Sequence, residues 1–129
     1  LSLEHGKHNE EACDYLFIDK RFYDWVVTTA FYSALHYVHT KIFPFKEGLI
    51  NYTNFESYYI FKNSKEKNLS KHSLTISLVV NKIPDVRTYY RRLYDMCMSA
   101  RYKDYKTTYE KAKKAKEDLE MIKSGLKIS

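Results

Sequence analysis

Apolar residues recur every three or four positions along most of this chain, the spacing of helices that each bury one stripe. The richest stretch is YDWVVTTAFYSALHYVHTKIF, from Tyr23 to Phe43. Val26, Val27, Ala30, Phe31, Ala34, Leu35, Val38 and Ile42 cover most of its circumference, so a central helix is predicted there. Pro44 ends it. A helix from about Leu3 to Lys20 precedes it, with Ala12, Tyr15, Leu16 and Asp19 on one side and His8 a turn before. That apolar face is narrow, which places this helix on the outside.

After Pro44 the helical pattern lapses, and residues 45–69 read as an irregular region too long for a tight connection. Thr53-Asn54-Phe55-Glu56 has capping-box spacing, which predicts a short helix through Tyr58, Tyr59 and Phe61, followed by an exposed loop from Asn63 to Asn68. Ser70 caps a further helix from Lys71 to Lys82, with Leu74, Leu78 and Val79 inward. Pro84 opens the next, which reaches about Tyr102 with Val86, Tyr90, Leu93, Cys97 and Ala100 as its core stripe. Thr107-Thr108-Tyr109-Glu110 is a second capping box. The last helix follows to about Lys123, with Ala112, Ala115, Leu119 and Ile122 inward and Gly125 as terminator. The expectation is all-α: an antiparallel four-helix bundle with an additional short helix, about five helices, in one domain over residues 1–129.

Composition narrows the function classes. The chain is 44% hydrophobic and 29% charged, which is globular rather than disordered. No apolar run reaches membrane-spanning length, and charges fill the first dozen residues, unlike a secretory signal. Cys13 and Cys97 match no metal spacing and sit among apolar neighbours, so two reduced core thiols are expected. The net charge is +6, unevenly placed: residues 1–20 carry five acids and two bases, residues 101–129 nine bases and five acids. A basic surface suits RNA, DNA or an acidic protein, although ordinary solvated helix faces give the same excess.

Phosphate loops, nucleophile elbows and metal patterns are missing. His36 and His39 stand three apart on the central helix, without a third ligand, so structural roles are expected before metal binding. His5 and His8 share the spacing but lie near a chain end expected to fray. Arg87, Arg91, Tyr94, Met98, Arg101 and Tyr105 follow steps of four, three, four, three and four, which places them in one narrow sector beside the core stripe. Guanidinium forks suit phosphates and phenols stack on bases. The alternative is a flank whose arginines pair with acids such as Asp95 or those of the first helix.

Five segments, in order, resemble the HEPN family of helical domains: HNEEACDYL in the first helix, the tyrosine- and alanine-rich AFYSALHYVHT (Ala30 to Thr40), His72 in SKHSL, ARYKDY (Ala100 to Tyr105), and the alanine-rich TTYEKAKKAKEDLEMIKSGL. The resemblance covers nearly the whole chain. It implies a cytoplasmic protein working on RNA or nucleotides, commonly a homodimer, either a toxin–antitoxin or defence ribonuclease or the partner of a small nucleotidyltransferase. Ribonuclease members resemble one another in an Arg followed four to six residues later by His. Here Tyr105, Lys106, Thr107 and Thr108 follow Arg101 instead. Metal-free RNA cleavage needs a base and an acid, roles that histidine fits by its near-neutral pKa. A non-catalytic module is therefore the first expectation, needing no cofactor or metal, with Arg87, Arg91, Tyr94, Arg101, Asp104 and Tyr105 binding the ligand. A divergent dimeric ribonuclease is the second, with Arg101, Tyr105, His72 and His36 as catalytic candidates. A bundle used only for protein interaction is the third.

Overall fold

A computed structural model describes residues 2–129. Among them are six α-helices, one 3-10 turn and one small hairpin, so the fold is mostly helical. Helix α1 spans Ser2–Asp19 and α2 spans Tyr23–Ile42. Strands β1 (Phe45–Glu47) and β2 (Ile50–Tyr52) pair antiparallel, and α3 follows over Phe55–Lys65. Helix α4 is Lys71–Lys82; a 3-10 turn at Pro84–Val86 leads into α5, Arg87–Tyr102, and α6 is Tyr109–Leu126.

Helix α2 is the centre, as its wide apolar face requires. Val26, Val27, Ala30, Phe31, Ala34 and Val38 are sealed from solvent. Residue pairings give the direction of each neighbour. Gly6 meets Ser33 and Cys13 meets Val26, so α1 runs antiparallel to α2. Phe31 packs on Tyr90 and Tyr94, so α5 comes from one side. Tyr23 meets Tyr109 at the start of α6, and Phe17 of α1 meets Tyr109 while Glu10 meets Lys123, so α6 is antiparallel to α1. The small side chains Ala30, Ser33 and Ala34 let these neighbours approach. Every predicted core position of α4, α5 and α6 is buried, from Leu74 through Ile122. Both cysteines are free and buried; burial pushes the Cys13 thiol up to about 11.

Several expectations are corrected. The inward face of α1 is Gly6 and Cys13, and Tyr15 is 70% exposed. A pattern search favours large apolar residues, whereas α2 is approached here through a glycine: a Cβ on Gly6 would lie 2.6 Å from the Tyr37 ring. The start of α1 is helical from Ser2, and the His5 ring stacks on His36 at 4.2 Å, so this end is packed against α2. Residues 45–52 form a hairpin whose turn uses Gly48 at φ +64°, a left-handed conformation glycine adopts without strain. Strands of three residues carry too little alternation to be read from sequence. Both capping boxes are displaced by one residue: Asn54 accepts from Ser57 N–H and Thr108 from Lys111 N–H. Helix α3 runs through Asn63, Ser64 and Lys65, shortening the predicted loop. Gly125 lies inside α6, where a Cβ would meet Val86 Cγ1 at 2.6 Å; the helix is ended by Lys127 at φ 58°.

Candidate functional site

The predicted α5 stripe exists only in part. Arg87, Arg91 and Arg101 are exposed and Tyr94 is half-buried. Helix α5 ends at Tyr102, so Asp104 and Tyr105 fall in the following turn, outside the stripe. The Asp104 carboxylate accepts the Lys106 backbone N–H at 2.9 Å, which closes that turn. About 21 Å of helix separates Arg87 from Arg101, at 1.5 Å per residue, so the two ends serve one extended ligand and not one compact site.

The arginines are not equivalent. Arg87 donates to the Pro84 carbonyl at 3.1 Å. Arg91 donates to Asp95 at 3.3 Å and lies 5.9 Å from the Tyr94 ring centroid. Arg92, which the spacing leaves outside the stripe, turns to α6 and grips Asp118 with two hydrogen bonds. Arg101 lies over the Tyr102 ring at 5.7 Å and has no acidic partner among the described residues. Pairing with acids thus accounts for Arg91 and Arg92, but not for Arg101.

Two elements distant in sequence complete this face. His72, in the first turn of α4, packs against Tyr94 at 5.4 Å and Phe31 at 5.7 Å. Tyr32 of α2 lies within the field of Arg101; burial raises its phenol pKa and the guanidinium partly offsets that. His36 follows Tyr32 by one turn of α2. The structure therefore groups Tyr94, His72, Tyr32 and Arg101 on one side, with His36 beyond Tyr32. Among the described residues, no contact joins Arg87 or Tyr105 to this group.

Beyond Tyr32 and His72 the surface falls into a cleft of about 680 Å³. Helix α2 supplies one wall, including His36 and His39, with Phe43 just past its end and Ser2 and Leu3 of α1 beside it; Asn54 and Phe55 at the start of α3 and Lys71, His72 and Thr75 of α4 supply the other. His39 Nε2 is 3.1 Å from Thr75 Oγ1, and its ring stacks on Phe55 at 4.4 Å. Burial, with His36 as a lesser cause, brings the His39 pKa down to about 4. Burial and then the neighbouring His5 lower that of His36, and burial lowers that of His72. All three imidazoles are thus neutral near pH 7, each offering one donor and one acceptor. A neutral imidazole can take a proton; it cannot serve as the acid of the same step without first being charged.

Tyr32 and Lys71 are not singled out by sequence reasoning. His39 is, by its spacing from His36, and reads as structural before metal-binding; nothing in that spacing signals its contacts with Thr75 and Phe55. Among the described residues no group of three or more histidine, cysteine or acidic side chains is placed to hold a metal ion, and no helix is long and apolar enough to cross a membrane. Comparison of the chain with family models, curated proteins and solved structures found no match.

Proposed function

We propose that this chain is a HEPN-like module in which α1, α2, α5 and α6 form the four-helix bundle, and that it binds RNA without cleaving it. The observation that carries the reading is Arg101: an exposed guanidinium without an acidic partner among the described residues, on the same side as Tyr94, His72 and Tyr32. A cation free to meet phosphate beside rings able to stack is what a single strand requires. Arg91 and Arg87 extend the track along α5. The family likeness adds a cytoplasmic homodimer and a nucleotidyltransferase-type protein as further partners. Salt-titrated binding of a single-stranded RNA by the wild type and by Arg101→Ala tests the reading.

A divergent ribonuclease is the second reading, favoured by one observation: His72, neutral and half-buried, stands on the Arg101 side of the molecule although no histidine follows Arg101 in sequence. His72 would be the base. Incubation of RNA with the wild type and with His72→Ala, in chelator, separates the readings. Intact RNA in both supports a binding module; cleavage by the wild type alone makes the chain an enzyme.

A further inference from the structure

We infer that the β1–β2 hairpin docks the protein on an anionic lipid surface, with Leu49 at its apex entering the interface. None of the residues concerned belongs to the α5 track, so the inference stands apart from RNA binding. Exposed turn positions ordinarily take glycine, asparagine, aspartate or serine. This turn is Gly48-Leu49, and Ile50 follows. Leu49 is wholly exposed and Ile50 is 41% exposed. The apex stands clear of the rest of the chain, since a Cβ on Gly48 would meet no atom within 4 Å. A lone exposed leucine would need no explanation. The surroundings of this one supply a reason for it.

The hairpin is seated on aromatic rings, and lysines cap those rings. Phe45 and Tyr52 both pack on Tyr58, and Tyr52 also packs on Phe61. Lys82 Nζ lies 4.4 Å from the Phe45 ring centroid, Lys62 Nζ 5.3 Å from that of Tyr58, and Lys65 Nζ 5.3 Å from that of Phe61. With Lys46 on β1 itself, four ammonium groups are held about the base of the hairpin. Among the described residues, Lys62 alone of the four has an acidic partner, Glu47 at 3.1 Å. Residues 41–82 hold seven lysines and three glutamates, so this segment supplies +4 of the chain's +6.

Charge and shape together choose the partner. The excess of lysine calls for an anionic surface. No arginine occurs between Arg21 and Arg87, so the hairpin has no guanidinium fork to grip a single phosphate. Its aromatic rings are buried or half-buried beneath lysines, not open to stack on a base. Both facts weigh against RNA. A protein partner would have to bring a pocket for the apex, whereas a lipid interface accepts it anywhere in its plane. There the ammonium groups stay among anionic headgroups while the leucine leaves water.

The experiment is co-sedimentation of the full chain with vesicles of phosphatidylcholine alone, or with about one third phosphatidylglycerol added. The protein should pellet with the anionic vesicles and not with the neutral ones, and salt should release it. Replacing Lys46, Lys65 and Lys82 together by glutamine should weaken binding roughly a hundredfold, about fivefold for each lysine. Leu49→Asp, at a site that touches no core residue, should weaken it about tenfold or more, the transfer of one leucine side chain. In Leu49→Trp on a Trp25→Phe background, tryptophan emission should move to shorter wavelength on anionic vesicles. Arg101→Ala should bind vesicles as the wild type does. No pelleting by the folded wild type, equal pelleting with neutral vesicles, equal binding by Leu49→Asp, or an unmoved emission overturns the inference. Single-stranded RNA held through the same three lysines, with no vesicle binding, would also overturn it and make the patch a nucleic-acid surface.

Discussion

Arg92 and Asp118 meet through two hydrogen bonds of 2.8 and 2.6 Å, a bidentate pair that joins α5 to α6. Asp118 is 1% exposed, while the Arg92 side chain keeps 38% of its surface in solvent. Among the described residues, Arg92 is the cation that pairs with this carboxylate and compensates its burial. Replacing Arg92 by leucine strands a buried charge, at a cost of about 2–3 kcal/mol, discounted from a fully buried pair because the arginine is partly solvated. The expected loss in melting temperature is roughly 8 °C for a chain of this length. Thermal unfolding followed by circular dichroism measures it. Arg101→Ala, which strands no acid, should leave the melting temperature within about 2 °C of the wild type.

Gly6 gives a second stability test. The Tyr37 ring that faces it is fully buried and pinned, because its hydroxyl donates to Glu10 at 2.5 Å and Glu10 in turn accepts from Lys123 at 2.7 Å. A methyl group at position 6 would have to displace that ring or push α1 from α2. Gly6→Ala gains about 1 kcal/mol of helix propensity, yet overpacking of this severity costs about 1–3 kcal/mol or more, so the net effect is a loss. A urea titration with a lowered midpoint is the expected result.

The buried imidazole of His39 makes stability depend on pH. Its folded pKa, about 4, is below its ordinary value of 6.5. The unfolded chain therefore takes up the proton first, so stability is full above about pH 6.5 and falls as pH drops toward 4. The loss is on the order of 2–3 kcal/mol. His39→Gln keeps a hydrogen-bonding group near Thr75 but cannot titrate, so its unfolding midpoint should change much less over this range. Equal pH dependence of the two proteins would show that His39 is not the group responsible.

The core was legible in the sequence and the surface was not, for physical reasons. Val26 to Ile42 (apart from the half-buried Leu35), Val86 to Ala100 and Ala112 to Ile122 bury what their period says, because a stripe facing other helices leaves a repeating signal. The inward face of α1 is carried by Gly6, whose importance is the absence of a side chain, and no apolar pattern registers that. The same applies to Gly125, read as a terminator but kept small for Val86. On the surface, the arginine stripe of α5 followed from spacing alone. Its sorting did not: whether an arginine is paired depends on where Asp95 and Asp118 fall, and Asp118 is on another helix. His72 and Tyr94 are 22 positions apart in sequence, and only the packing of α4 against α5 and α2 brings their rings together.

The most direct test of the account is fluorescence anisotropy of a labelled single-stranded RNA with the wild type and Arg101→Ala, each over a range of salt concentrations. The account predicts wild-type binding that weakens with salt, a roughly tenfold loss in Arg101→Ala, and a log–log salt slope shallower by about 0.7, the release expected for one phosphate contact on a single strand. Identical affinities and identical slopes for the two proteins, both folded, would contradict it.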